Sequence, residues 1–320
     1  MKKCYLSEHL IATKTQKVEL TKTDFDVINE AFKTLNDILE LEETFDILVR
    51  NLITFEKFCV GVAVEASVKN FMTDYRSSLG MQEANRHLLN LFTAARLYLD
   101  QMNSKRKRWF LTTSNSWQKI EQTRTEQYDN VLGYRFLEGL RNYAQHKGVP
   151  IHKFNYKANW LYGDDNKNNQ AEYFVEPLGD LDIYSSGKII KSDILLELRE
   201  YLQDGFIDLR PFIRDYISGL GQIQSVVRDA TLGMYEQSSA TLSSAIDHWK
   251  AGQTGAFEPI NLSAWEADER GHRISEPVFV NMSARDQIDK LQEANHNFSA
   301  LRKKFASNAI SLTMLAPYKR

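Results

Sequence analysis

Arg141 and His146 stand five residues apart near the middle of the chain. Together they form a minimal kit for cutting RNA without a metal. The ribose 2′-hydroxyl must lose a proton as it attacks phosphorus, and the departing 5′-oxygen must gain one. An imidazole titrates near neutral pH and can serve both transfers. A guanidinium carries its charge in a planar fork that grips phosphate oxygens in pairs. It therefore suits the crowded charge of a pentacoordinate phosphate.

These residues close a long helical pattern. Asn115 with Gln118 reads as a capping pair, and Ile120, Tyr128, Val131, Leu132, Phe136, Leu140 and Tyr143 carry the apolar spacing onward. Gly148 suits a helix end and Pro150 cannot continue one, which places His146 in the last turn. On a regular helix, five residues separate two side chains by roughly 140° around the axis. Arg141 and His146 converge if the arginine reaches round or if the last turn distorts.

The Arg-x4-His spacing, with the polar Asn142 directly after the arginine, resembles the signature of the HEPN superfamily, many of whose members are metal-independent ribonucleases. The resemblance covers the motif and its helical surround. It implies that Arg141 binds and polarises the phosphate, that His146 is the general acid or base, and that Asn142 helps to orient them. It also implies a homodimer in which two motifs face each other across a cleft. RNA is then the expected partner. The expected role is a toxin, held by an antitoxin-like regulatory protein, or an antiviral defence effector; no metal or other cofactor is expected. The residues also admit a second reading. Arg141 caps the helix end, His146 is satisfied by a local carbonyl, and the chain is a non-catalytic helical interaction module or a subunit of a larger assembly. Solvent access separates the two. Both side chains lining one open, positively charged groove favours the nuclease. Either one buried in a local hydrogen-bond set favours the module.

Other clusters offer less. Lys105, Arg106, Lys107 and Arg108 precede Trp109, a basic run beside an aromatic that suits phosphate and a stacked base. It equally suits a solvated helix end, where cations meet carbonyl dipoles. His87 beside Arg86 either complements the motif or is an exposed pair. His152 follows His146 without a cysteine or a close carboxylate pair to complete a metal set. Glu266, Asp268, Glu269 and His272 read as a solvated loop or a cation site, and Asp164 and Asp165 as turn formers. No P-loop, dinucleotide fingerprint or Gly-x-Ser-x-Gly elbow is present.

Composition sets the frame. The 320 residues can bury a sizeable core, and a formal net charge of -2 leaves any RNA site as a local patch. Cys4 and Cys59 are too few for a disulfide scaffold and fit a reducing cytoplasm. The N-terminal residues lack a signal-peptide apolar core, and the apolar run at 59–64 is too short to span a bilayer, so no membrane is expected. The expected fold class is mainly α, a helical bundle with a minor inserted β-hairpin or small sheet. Helical stripes at 24–40, 44–66, 82–103 and 116–147 should pack as one bundle. Thr23 should cap the first and residues 74–80 should form a loop. Residues 151–190 should hold the β insertion. Pro211 should open a long helix with a break near Gly233, and Ser283 should cap a last helix carrying Ile288, Leu291, Phe298, Leu301 and Phe305. As domains, residues 1–150 form the motif-bearing bundle and 151–320 the insertion with its long helices, packed together as one compact unit.

Overall fold

A computed structural model describes residues 3–8, 16–69, 74–161, 170–253, 259, 261–304 and 306. The fold is mainly α with two small antiparallel sheets. In chain order the elements are β1 (Lys3–Glu8), β2 (Val18–Leu20), α1 (Lys22–Lys69), α2 (Asp74–Trp109), α3 (Asn115–Asn130) and α4 (Leu132–His146). Then come β3 (Lys153–Leu161), β4 (Gln170–Asp180), α5 (Leu181–Gly187), α6 (Ser192–Leu198) and β5 (Phe206–Asp208). The long α7 (Arg210–Ala251), β6 (Leu262–Ala267), β7 (Val278–Phe279) and α8 (Ser283–Ala294) follow.

The chain divides into two compact units. One holds Met1–Asp46, Gln101–Trp109 and Ser225–His296; the other holds Ile47–Asp100, Phe110–Gln224 and Asn297–Arg320. This division does not coincide with a boundary at residue 150. It also puts the stripe at 24–40 in a different unit from most of the other three. The reason lies in long-range pairing. β1 joins β6 antiparallel, from Lys3 opposite Ala267 to Glu8 opposite Leu262, which ties residues 3–8 to residues 262–267 within the first unit.

In that first unit the sheet order is β2-β1-β6-β7. Leu6, Leu262 and Ala264 from the sheet pack with Phe25, Ile28 and Leu35 of α1 and with Trp249 of α7 in one buried cluster. Thr21, not Thr23, caps α1. Its Oγ1 accepts from the Asp24 amide at 3.1 Å, and the Asp24 carboxylate accepts from the Thr21 amide at 3.3 Å. A buried network adds to the core. Glu42 accepts from Arg228 Nε at 2.8 Å and Nη2 at 2.6 Å, while Arg228 Nη1 donates to the Asn295 carbonyl at 2.6 Å. α1 does not restart at Thr44, because that hydroxyl donates back to the Glu40 carbonyl at 2.6 Å and stays inside the helix.

In the second unit the sheet order is β3-β4-β5, and the expected hairpin is β3 with β4, from Lys153 opposite Leu178 to Leu161 opposite Gln170. Residues 163–169, including Asp164 and Asp165, lie outside the described residues, as do Phe305 and the tail at 316–320. Residues 74–80 open α2 rather than forming a loop. Gly80 is there for room, since a Cβ on it would come 2.8 Å from the Tyr156 hydroxyl. The motif stripe is two helices. α3 begins after the cap Ser114, whose hydroxyl accepts from the Trp117 amide at 3.2 Å, and it ends where Val131 turns extended and starts α4. Further along, α8 starts at Ser283 and stops at Ala294, which leaves Phe298 and Leu301 beyond it.

α7 runs unbroken through Gly233, where a Cβ would meet nothing within 4 Å. A glycine in a helix interior costs about 0.5–1 kcal/mol relative to alanine. Gly233→Ala is therefore expected to stabilise the protein by about that amount, read as a higher urea midpoint at unchanged slope. A lower midpoint would mean that the helix is not continuous there.

Candidate functional site

α4 is positioned by close approach to α7 within the second unit. A Cβ on Gly133 would fall 2.5 Å from Asp215 Cβ, and one on Gly219 would fall 2.6 Å from the Tyr134 ring. Both glycines let two backbones come nearer than side chains allow. The Tyr134 and Tyr216 rings then pack at 5.1 Å, and Phe136 meets Phe212 edge-on at 5.5 Å.

This packing takes Arg141 out of solvent, with 6% of its surface exposed. Its Nη2 lies 3.0 Å from Glu138 Oε2, and its Nη1 donates to Glu138 Oε1 at 3.3 Å. The Tyr216 hydroxyl donates to the same Oε1 at 2.5 Å. Burial, and then the Glu138 charge, push the Tyr216 phenol well above its ordinary pKa, which keeps it a donor. Arg141 Nη2 also reaches Asn142 Oδ1 at 3.4 Å. Its Nε is buried without an acceptor.

Asn142 and His146 are both exposed, four residues apart on α4, and His146 is the helix's last residue. The helix ends as expected, with the Lys147 amide donating to the Tyr143 carbonyl at 2.8 Å. It does not distort enough to join the motif. Arg141 points into the unit and His146 faces water, so the two do not line one groove. Sequence reasoning missed Glu138 and Tyr216. Glu138 was within reach, since an acid three residues before an arginine on a helix is a recognisable pair. Tyr216 comes from α7 and carries no local signal.

The basic run closes α2 in the first unit. Lys105 is buried, 2.6 Å from Glu40 and 3.3 Å from Asp37 of α1. Arg106 is buried too and donates to Asn103 Oδ1 at 3.3 Å, while Arg108 pairs with Asp37. Lys107 and Arg108 are exposed. The four side chains therefore do not form one open phosphate-binding surface. Nor are they merely a solvated end, because α1 supplies the opposing carboxylates.

The remaining candidates are structural. His87 is largely covered. Its ring packs on Phe58 at 5.1 Å and its Nε2 lies 3.1 Å from Arg86 Nη2, so the two are not a free exposed pair. Asp268 Oδ1 accepts from the Arg270 and His272 amides at 2.9 and 2.8 Å, which closes a turn through Gly271 at φ 84. Glu266 pairs with Lys22 at 2.9 Å. Among the described residues no three His, Cys, Asp or Glu side chains gather as a metal-ligand group, and no helix is long and apolar enough to cross a membrane. A cleft of about 450 Å³ in the first unit lies beside Phe25, Phe32 and Pro277, but its Lys22 is already engaged by Asp26 and Glu266. No family model matches the chain, and neither a characterised protein nor a solved structure is significantly similar to it.

Two predictions follow from this geometry. Removing one partner of a buried ion pair leaves the other charge uncompensated, at about 3–5 kcal/mol when burial is deep. Glu138 is partly open, so Arg141→Ala is expected to cost nearer to about 3 kcal/mol, seen as a lower urea midpoint. A loss below about 0.5 kcal/mol would show that the pair is an ordinary surface contact.

His152 supplies the second. Its Nδ1 accepts from the Asp180 amide at 3.0 Å, and its ring packs on Tyr184 at 5.1 Å. Burial lowers its pKa, against a smaller opposing pull from Asp180. The folded chain thus binds this proton less readily than the unfolded chain. The stability it contributes is complete above the unfolded value of 6.5 and falls as pH drops through it. Urea midpoints should fall between about pH 7 and about pH 5, and fall less in His152→Gln. Equal slopes in both proteins would remove His152 from the account.

Proposed function

We propose that the chain is a non-catalytic helical interaction module or a subunit of a larger assembly, with its Arg-x4-His motif serving structure. One observation carries the reading. The Arg141 charge is spent inside the second unit on Glu138, whose carboxylate is shared with Tyr216. A guanidinium held this way is not offered to a phosphate. The two cysteines, both buried, are compatible with the reducing cytoplasm in which we place it.

A second reading keeps the ribonuclease. Asn142 and His146 share an exposed face of α4, and Arg141 touches Asn142. An exchange of Glu138 for a phosphate would then bring the arginine back into play, in a HEPN-like endoribonuclease working as a homodimer. Its restraint by an antitoxin-like partner and its use as a toxin or in antiviral defence belong to this reading.

Purified protein incubated with total RNA decides between them. The module reading expects no cleavage, and expects His146→Ala to leave the melting temperature unchanged. Cleavage that survives EDTA and leaves 2′,3′-cyclic phosphate and 5′-hydroxyl ends would overturn it. Loss of that cleavage by roughly 10²- to 10⁴-fold in His146→Ala would then assign the proton transfer to this residue.

A further inference from the structure

α5 depends on a few anchors. Its 7 residues are too few to persist as a helix alone, since isolated helices below about 12–15 residues are marginal in water. Of its side chains only Leu181 and Tyr184 are buried. The Asp180 carboxylate caps it, accepting from the Asp182 and Ile183 amides at 2.9 and 3.1 Å. The Tyr184 hydroxyl donates to the Pro150 carbonyl. That hydroxyl fits because residue 179 is glycine, where a Cβ would run into it. At the other end a Cβ on Gly187 would come 2.9 Å from the Tyr143 ring, so the helix lies against the last turn of α4. Lys188 then leaves in the left-handed region at φ 54, an unfavourable conformation for a side chain with a Cβ.

The remaining anchor is His152, and it rests on one lone pair. Its Nδ1 accepts from the Asp180 amide at 3.0 Å. A backbone N–H can only donate, so the neutral ring keeps its proton on Nε2. A second proton can then go only to Nδ1. There it meets the amide hydrogen, and the bond becomes two donors facing each other. The charged ring gains little from its surroundings. Tyr143 of α4 and Tyr184 of α5 lie 6.3 and 5.1 Å from it, and burial pushes both phenols up, so both stay neutral. Among the described residues the Asp180 carboxylate is the one charge that acts on the ring, and its Oδ1 already holds two α5 amides.

We propose that His152 is a pH-operated latch on α5. Taking up a proton at Nδ1 breaks its bond to the Asp180 amide and frees residues 180–188 from the end of α4, while the rest of the unit stays folded. The device is local, which separates it from a general loss of stability in acid. It also changes the surface beside Asn142 and His146 on α4, whichever role that motif has.

The direction follows from linkage. In the open segment the ring regains its ordinary value of 6.5, and in the closed one burial holds it lower. Closure is therefore complete above 6.5, and opening grows as pH falls below it, by about tenfold per pH unit at most, until the lowered value of the closed form is passed. Hydrogen exchange read by mass spectrometry, with labelling times scaled to the intrinsic rate at each pH, follows this opening. The peptide covering residues 180–188 should lose protection between about pH 7 and about pH 5, while peptides from α7 keep theirs. His152→Gln can still accept the Asp180 amide through its side-chain carbonyl but cannot titrate, so it should keep the segment closed over that range. Tyr184→Phe removes an anchor that does not titrate. It should raise opening about fivefold at every pH, the worth of one hydrogen bond, and leave the pH dependence as it was. NMR of the ring nitrogens tests the unaltered protein, with the proton expected on Nε2 at neutral pH and titration below 6.5. A proton on Nδ1 at neutral pH would overturn the proposal, as would titration at or above 6.5. So would protection of residues 180–188 that is unchanged in acid, a loss spread evenly over the unit, or a loss that persists in His152→Gln.

Discussion

Glu138 governs how α4 can sit. Its carboxylate takes the Arg141 guanidinium through both oxygens and the Tyr216 hydroxyl through one. A guanidinium never loses its charge in a protein, so once packing covers Arg141 an acid has to meet it. The acid comes from the preceding turn of the same helix, and the phenol from α7 orients it. The glycines at 133 and 219 make the approach that brings Tyr216 within reach. Without Glu138, the same backbone geometry would enclose a bare cation.

The first unit solves the same problem with different parts. Glu42 is buried and meets Arg228 through both oxygens, and Arg228 passes its remaining fork to the Asn295 carbonyl. Lys105 likewise enters from α2 and finds Glu40 and Asp37. In each case the acid sits on α1 and the cation comes from another helix, α7 for Arg228 and α2 for Lys105. Such pairs add little net stability over a well-packed apolar substitute. What they do is penalise any rotation of one helix that separates the partners, and so specify which faces meet.

Much of the fold was legible as periodicity. The stripes for α1, α2 and α7 were visible because each has enough turns for an apolar face to repeat, and the β3–β4 hairpin announced itself by alternation around a turn-rich loop. Breaks inside long helices were misjudged wherever a polar or small residue had a job other than ending a helix. Thr44 bonds back within α1, Gly80 makes room for Tyr156, and Gly233 simply lies on an open face. β6 was missed because Leu262–Ala267 shows little alternation when both faces are covered, as its burial along nearly the whole strand confirms. The partition into two units was not legible at all. It rests on β1 pairing with β6, and no local pattern links residues so far apart in sequence.

The site was legible in its residue types and not in their directions. An arginine is read as a phosphate binder because its fork matches two oxygens, but a carboxylate offers the same two oxygens at nearly the same spacing. Sequence alone therefore cannot tell a guanidinium awaiting a ligand from one already holding Glu138. Helical angle was the better guide. Five residues along α4 carry a side chain to roughly the far side of the helix, and a helix packed on one side must then bury one member of the pair and expose the other. Arg141 and His146 obey that constraint, and the regular geometry kept up to the helix end holds them apart.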